Sequence, residues 1–262
     1  MRITTLIENT VYQSGLIAEH GLSIYIEGEK RILFDTGQSD DFIKNATMLG
    51  INLEKIDTVI ISHGHYDHAG GLKHFCNINS KAKIYVKEGF FTPKYRDRQK
   101  FIGIENIFPQ RIIFVKNKTE LFSDIFIIPE IKIENNWDTH FEGMFIKTAI
   151  GFEVDEFNDE LFLVIKKDGK INIISGCSHR GITNIILSAK KEFENPINLV
   201  LGGFHTKGWN KERMEKLINN LQNFEINSIG CCHCTGIENY ALIKEVFKEK
   251  AFYNSTGNII DF

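Results

Sequence analysis

Apolar positions along this chain fall in short runs separated by polar, glycine-punctuated stretches. Residues 3–8, 22–27 and 31–35 read as strands, with 24–35 forming a hairpin around Gly28. Residues 40–49 carry helical spacing: Phe42, Ile43, Ala46 and Leu49 share a face, and Gly50 closes the element. The run 58–61 predicts a buried strand, and 82–86 predicts another. Residues 87–110 are rich in Phe, Lys and Arg and show no clear period; they read as an insertion near the mouth of a site.

The second half repeats the theme. Strands are predicted at 112–115 and 125–128, and a hairpin at 161–166 and 170–175 around Asp168 and Gly169. Residues 181–193 read as a helix, 199–201 as a strand, and 211–223 as an amphipathic helix with Met214, Leu217, Ile218 and Leu221 inward. A strand at 228–230, a helix at 237–250 and a strand at 258–262 follow. Strands lead each half and strand–helix alternation follows, which predicts a layered α/β arrangement. No low-complexity linker, repeat or charge block divides the chain. With 262 residues and 42% hydrophobic content, one domain spanning 1–262 is expected.

The net charge of −3 predicts neither a nucleic-acid nor an anionic-membrane partner. No apolar run approaches the roughly 20 residues needed to cross a bilayer. The first residues alternate like a strand and lack a signal-peptide pattern, so a cytoplasmic location is expected. Cys231, Cys232 and Cys234 cluster, with Cys76 and Cys177 apart. In a reducing compartment these are thiols or ligands rather than disulfides.

The chemistry concentrates in ISHGHYDHAGGL at 61–72, where His63, His65, Asp67 and His68 fall within six residues. They follow an apolar strand, and Gly64, Gly70 and Gly71 punctuate what reads as a loop. His63 and His65, two apart, point the same way; Asp67 and His68 are displaced along the loop toward a second point. That geometry suits a two-metal site in which paired cations activate a water. Imidazole and carboxylate favour zinc, with iron or manganese as alternatives. Three further histidines end apolar runs in small residues: His179 in IISGCSH, His205 in VLGGFH and His233 in SIGCCHCTG. Such ends let a side chain approach a ligand closely. The Cys231–Cys234 spacing fits no ferredoxin pattern, so these cysteines are expected to pack around His233 or to tune the metal modestly.

At these residues the chain resembles the metallo-β-lactamase superfamily, whose signature is His-x-His-x-Asp-His. The resemblance implies an α/β fold, the αβ/βα four-layer sandwich of that superfamily, with metal at one edge. It implies metal-dependent hydrolysis, with Asp67 both ligand and catalytic residue. It matches His233 to the family's final histidine ligand. Cys177 stands where most members carry a bridging Asp, and is either a thiolate ligand or a small buried residue. The family's middle histidine has two candidates here, His140 and His179; His179 is favoured because it lies two residues from Cys177. Asp35, in LFDTG, matches a position that supports the ligand loop, either by holding a histidine's other nitrogen or by capping a turn. SHGHYDH, GCSHRGI, GGFH and HCTG together resemble a subgroup that includes dihydropterin ribofuranosyl-aminobenzene 5′-phosphate synthases. Other branches fit less well: a di-iron flavoprotein would carry Glu at the position of His65, a β-lactamase would be secreted, and a glyoxalase II would have a C-terminal helical extension.

Ser178, Arg180 and Gly181 join a predicted strand to a helix start, where amides and a guanidinium make an anion site. With His205 they are the candidate substrate-binding residues. The expected activity is a metal-dependent hydrolase of a small, anionic, phosphate-bearing molecule. A pterin-phosphate transferase and a non-catalytic metal or ligand sensor are the alternatives. Composition and pattern carry no signal for oligomeric state.

Overall fold

The computed structural model describes residues 1–105 and 111–262. The chain is mixed α/β and forms two compact units. One comprises Met1–Lys116, Phe141–Glu160 and Ser255–Phe262; the other comprises Asn117–His140 and Leu161–Asn254.

The first unit is built on a seven-stranded sheet in the order Ile259–Asp261, Arg2–Ile7, Ser23–Glu27, Arg31–Phe34, Thr58–Ile60, Lys83–Lys87, Ile112–Val115. The pairings up to Arg31–Phe34 are antiparallel and the remaining three are parallel. Parallel neighbours need crossovers; helix Asp41–Met48 supplies the first and helices Tyr66–Ala69 and Leu72–Ile78 the second. Leu6, Leu33, Phe42, Val59, Phe75 and Ile84 lie in the core between sheet and helices. Parallel register decides what meets at the strand ends. Phe34 pairs with Ile60, so the residues that follow, Asp35 and Ile61–His63, leave the sheet side by side. The Asp35 amide donates to Ile60 at 2.9 Å.

The segment after Ile61 is not simply a loop, as the sequence led us to expect. Gly70 and Gly71 have helical φ values of −62° and −72°. Their role is close approach: a Cβ on Gly71 would lie 2.2 Å from the Thr36 carbonyl oxygen. Part of the expected insertion at 87–110 carries strands of its own. Lys94–Arg96 and Lys100–Phe101 form a hairpin, and Lys94–Arg96 pairs with Met144–Thr148, which pairs with Gly151–Val154. These strands are short and bury only Lys94 and Met144, so no period-two apolar face marks them. The last part of the expected insertion, 106–110, lies outside the described residues.

The second unit also holds a seven-stranded sheet, ordered Ala251–Tyr253, Ser228–Cys232, Ile197–Gly203, Lys170–Ile174, Phe162–Lys167, Ile125–Ile128, Thr119–Phe122. The first four run parallel, connected by helices Ile182–Glu192, Lys211–Gln222 and Ile237–Phe247. The predicted hairpin around Asp168 and Gly169 is present. The last helix stops earlier than the pattern suggested. Lys248 takes φ +52°, a short 3-10 turn follows, and Ala251–Tyr253 becomes an edge strand. Again the parallel register sets the geometry. The segments after Ile174, Gly203 and Cys232 emerge next to one another, and the Gly203 amide donates to the Gly176 carbonyl at 2.8 Å. Among the described residues no helix is long and apolar enough to cross a membrane.

Candidate functional site

In the first unit, His63, His65, Asp67 and His68 are all buried. The His63 ring centroid is 4.6 Å from that of His65 and 4.3 Å from that of His68. Asp35 organises them. Its Oδ2 lies 2.6 Å from His68 Nδ1, its Oδ1 accepts the Ser62 amide at 2.7 Å, and Oδ2 also accepts the Ser62 hydroxyl at 2.8 Å. The Ser62 hydroxyl has one proton to donate, and it goes to Asp35. At 2.9 Å from His63 Nδ1 the same oxygen therefore accepts, which places the His63 proton on Nδ1 and its lone pair on Nε2. For His68, with Nδ1 committed to Asp35, a metal would be met through Nε2.

The loop is braced from behind. The Gly64 amide donates to Asp159 at 2.8 Å, and a Cβ on Gly64 would fall 2.1 Å from the Phe90 carbonyl oxygen. Asp159 and Asp155 each accept from the buried Lys94 ammonium at 2.9 Å. Burial works against that charge, but Asp159 and Asp155 outweigh it and hold the Lys94 pKa above its ordinary value. Phe157 packs edge-on against His65 at 5.3 Å. Lys94, Asp159 and Phe157 were not found from the sequence, because nothing local connects residues this far from the histidine motif. His20 was missed too: its Nε2 is 3.1 Å from Asp67 Oδ2.

The donor set in this unit fits a metal ion. Burial pushes the His63 pKa well below its ordinary value, and the nearby His68 and His65 add to the effect. A neutral imidazole is the ligand form for zinc or iron. Three imidazoles and a buried carboxylate in one segment are the donors a borderline cation prefers.

In the second unit the strand ends gather His179, His205, Cys177, Cys234 and His140. The His205 ring centroid lies 4.3 Å from that of His179 and 4.9 Å from that of His140. Both candidates for the middle ligand thus pack against the same imidazole, and the His140 amide donates to the His179 carbonyl at 2.8 Å. The buried atoms His140 Nε2 and His205 Nδ1 have no hydrogen-bond partner. Burial, with His205 and Arg213 nearby, depresses the His140 pKa well below its ordinary value. Cys177, His205 and Cys234 offer ligand atoms within 4.8 Å of one another. Gly203 makes room for this, since a Cβ there would sit 2.5 Å from Cys234 Sγ. Burial opposes a Cys234 thiolate, but Cys177 and His205 outweigh it and hold its pKa well below that of an ordinary thiol. His233 is buried at φ +52°, immediately after its strand. Orphaned ring nitrogens beside thiols again suit a soft or borderline cation.

The chain itself engages part of the expected anion seat. Helix Ile182–Glu192 does start after Gly181, but its Thr183 amide already donates to Asp138 Oδ2 at 2.7 Å, as does the Thr183 hydroxyl. Asp138 is a carboxylate supplied by the chain itself. Burial raises its pKa to about 7, and Oδ1 is buried without a partner. Arg180 Nε donates to the Ile131 carbonyl at 3.1 Å, and the Ser178 hydroxyl donates to the Gly203 carbonyl at 2.7 Å. Gly181 is required at φ +96°, with Asp138 2.8 Å from where a Cβ would be.

Comparison with known proteins agrees with the sequence signature. A family model described as the metallo-beta-lactamase superfamily matches residues 17–177. A Methanocaldococcus jannaschii protein named 7,8-dihydropterin-6-methyl-4-(beta-D-ribofuranosyl)-aminobenzene-5′-phosphate synthase is 32% identical, over 100% of this chain and 97% of its own. A solved structure described as a metal-dependent hydrolase of the beta-lactamase superfamily, Tm1679, shares 30% identity with a TM-score of 0.89, covering 100% of this chain and 99% of its own. The short form of human tRNase Z, at 14% identity and TM-score 0.56 over 100% of this chain and 99% of its own, shares the fold alone.

Proposed function

Because the chain belongs to the metallo-β-lactamase superfamily, we propose that it is a metal-dependent hydrolase of a small, anionic, phosphate-bearing molecule. The observation that carries this reading is the buried His63–His68 segment, with its three imidazoles and its supporting carboxylate Asp35. In the first unit His63, His65, Asp67 and His68 are the proposed ligands; in the second, His179, His233 and Cys177. Zinc fits the donors, in one or two ions, with iron or manganese as alternatives. When bound, such an ion lowers the pKa of water to about 7 and polarises the scissile group.

The chain's residues have separate tasks. His63 would meet the ion through Nε2, with His65 beside it. Asp35 holds the His68 ring in place. Asp67 orients the attacking water and takes its proton. Arg180 and His205 are the proposed contacts for the substrate anion, with Ser178 and Gly181 shaping the turn. The Thr183 amide is excluded from that role, being held by Asp138.

The test uses protein purified without chelator. Metal content of wild type, His63→Ala and His65→Ala is measured, together with turnover of a panel of phosphomonoesters, phosphodiesters and carboxylic esters. Phosphate-ester turnover that falls with metal content supports the reading. Wild-type metal in both variants, or a fully loaded protein that cleaves nothing, overturns it.

A second reading, transfer of a pterin phosphate group, is favoured by the full-length similarity to the M. jannaschii synthase. Reaction in ¹⁸O-labelled water separates the two. Label in the product supports hydrolysis; a coupled product without label supports transfer.

A further inference from the structure

His20 lies in the first unit, 47 positions from Asp67 by the numbering, in a segment with no strand or helix. Its side chain is 54% exposed, yet the residues flanking it in the chain are tied down by hydrogen bonds. The Glu19 amide donates to Glu8 at 3.2 Å. The Glu19 carboxylate accepts the Gln38 amide at 3.1 Å and the Ser39 hydroxyl at 2.6 Å. The Gly21 amide donates to Asn9 Oδ1 at 3.2 Å, and the Leu22 amide donates to the Asp67 carbonyl at 3.2 Å. Gly21 permits that last approach, since a Cβ there would lie 2.6 Å from the same carbonyl oxygen. An exposed imidazole is thus mounted on a rigid backbone directly against the Asp67 segment.

The hydrogen bonds also determine which nitrogen carries the proton. Asn9 Oδ1 accepts from the Gly21 amide, so the Asn9 amide nitrogen is the atom that faces His20 Nδ1, at 3.4 Å. That nitrogen only donates, so Nδ1 accepts and the ring proton sits on Nε2. Nε2 is 3.1 Å from Asp67 Oδ2. We propose that His20 is a positioning residue for the metal centre: its Nε2–H donates to Asp67 Oδ2, fixes the carboxylate's rotation and leaves Oδ1 to face the ion and the water. The inference rests on the reading of Asp67 as a metal ligand. Groups that orient a ligand by hydrogen bonding are worth about 10- to 100-fold in metal affinity.

The experiment is zinc titration of the metal-free full chain against a chromogenic chelator, for wild type, Asp67→Ala, His20→Ala and His20→Gln, with circular dichroism to verify folding. Gln keeps a side-chain N–H donor at similar reach. The expected result is a large loss of affinity in Asp67→Ala, a loss of about 10- to 100-fold in His20→Ala, and recovery to within a few-fold of wild type in His20→Gln. Two-bond ¹H–¹⁵N correlation spectra of the metal-free protein should show His20 protonated on Nε2. Wild-type affinity in His20→Ala beside an impaired Asp67→Ala overturns the role of His20 and leaves the metal reading intact. Wild-type affinity in Asp67→Ala overturns the ligand reading and the inference with it. A Gln variant as weak as Ala, or an Nδ1-protonated His20, also overturns the inference.

Discussion

Asp35 and His68 lie 33 positions apart in the chain, yet Oδ2 of one is 2.6 Å from Nδ1 of the other, and both side chains are fully buried. The parallel pairing of Arg31–Phe34 with Thr58–Ile60 produces this contact, because both residues belong to segments that leave adjacent strand ends. Replacing Asp35 with Ala should weaken zinc affinity by about 10- to 100-fold, since His68 loses its orienting partner. It should also cost about 1–3 kcal/mol of stability, because the buried Ser62 amide loses its acceptor. Chelator competition and urea denaturation measure the two effects. Unchanged zinc affinity would show that Asp35 does not orient the ligand.

Lys94 is buried with two carboxylates, one of which holds the Gly64 amide of the ligand loop. Lys94→Met leaves Asp155 and Asp159 uncompensated. Breaking a buried ion pair from one side costs about 3–5 kcal/mol, and chemical denaturation should show a loss of that order. A cost below about 1 kcal/mol would be the figure for a solvated pair, and would show that these charges are not confined as the burial indicates.

Asp138 makes stability depend on pH with a definite sign. Its pKa rises from 3.8 unfolded to about 7 folded because it is buried. Between those values the folded state holds the extra proton. The contribution is therefore fully present below pH 3.8 and is lost as pH rises through about 7. The loss should be on the order of a few kcal/mol. Asp138→Asn, which keeps an acceptor for Thr183 without a charge to bury, should lose less stability than wild type between pH 5 and pH 8.5. Parallel pH slopes for the two proteins, read from urea midpoints, would contradict this.

His140 and His179 both pack on His205, so substitution has to separate them. His179 is the proposed ligand: His179→Ala should lower zinc occupancy by elemental analysis, and His140→Ala should leave it near wild type. The opposite pattern would assign the role to His140 and leave the Cys177–His179 segment as a loop.

The elements with a buried apolar face could be read from the chain alone. Residues 40–49 show it by helical spacing, and 58–61 by an unbroken apolar run; both match their elements to within about two positions. The same holds for the hairpin at Asp168 and Gly169, where turn chemistry and flanking apolar runs agree. The strands at 94–101 and 144–154 escaped because they are short and bury only Lys94 and Met144, too few positions to impose an apolar alternation. Gly70 and Gly71 were misread as loop punctuation because a sequence cannot distinguish a glycine needed for its φ from one needed for its missing Cβ.

The metal-type donors were legible for a similar reason. His63, His65, Asp67 and His68 are close in sequence, and their residue types alone restrict the chemistry. What surrounds them was decided only by tertiary structure. Asp35 meets His68 through strand register, Asp159 reaches Gly64 across 95 positions, His20 reaches Asp67 from an irregular segment, and Asp138 takes the Thr183 amide at the helix start. Local sequence determines which groups a chain can offer. Long-range packing determines which of them are already engaged, because a hydrogen bond between distant residues leaves no periodicity in the sequence.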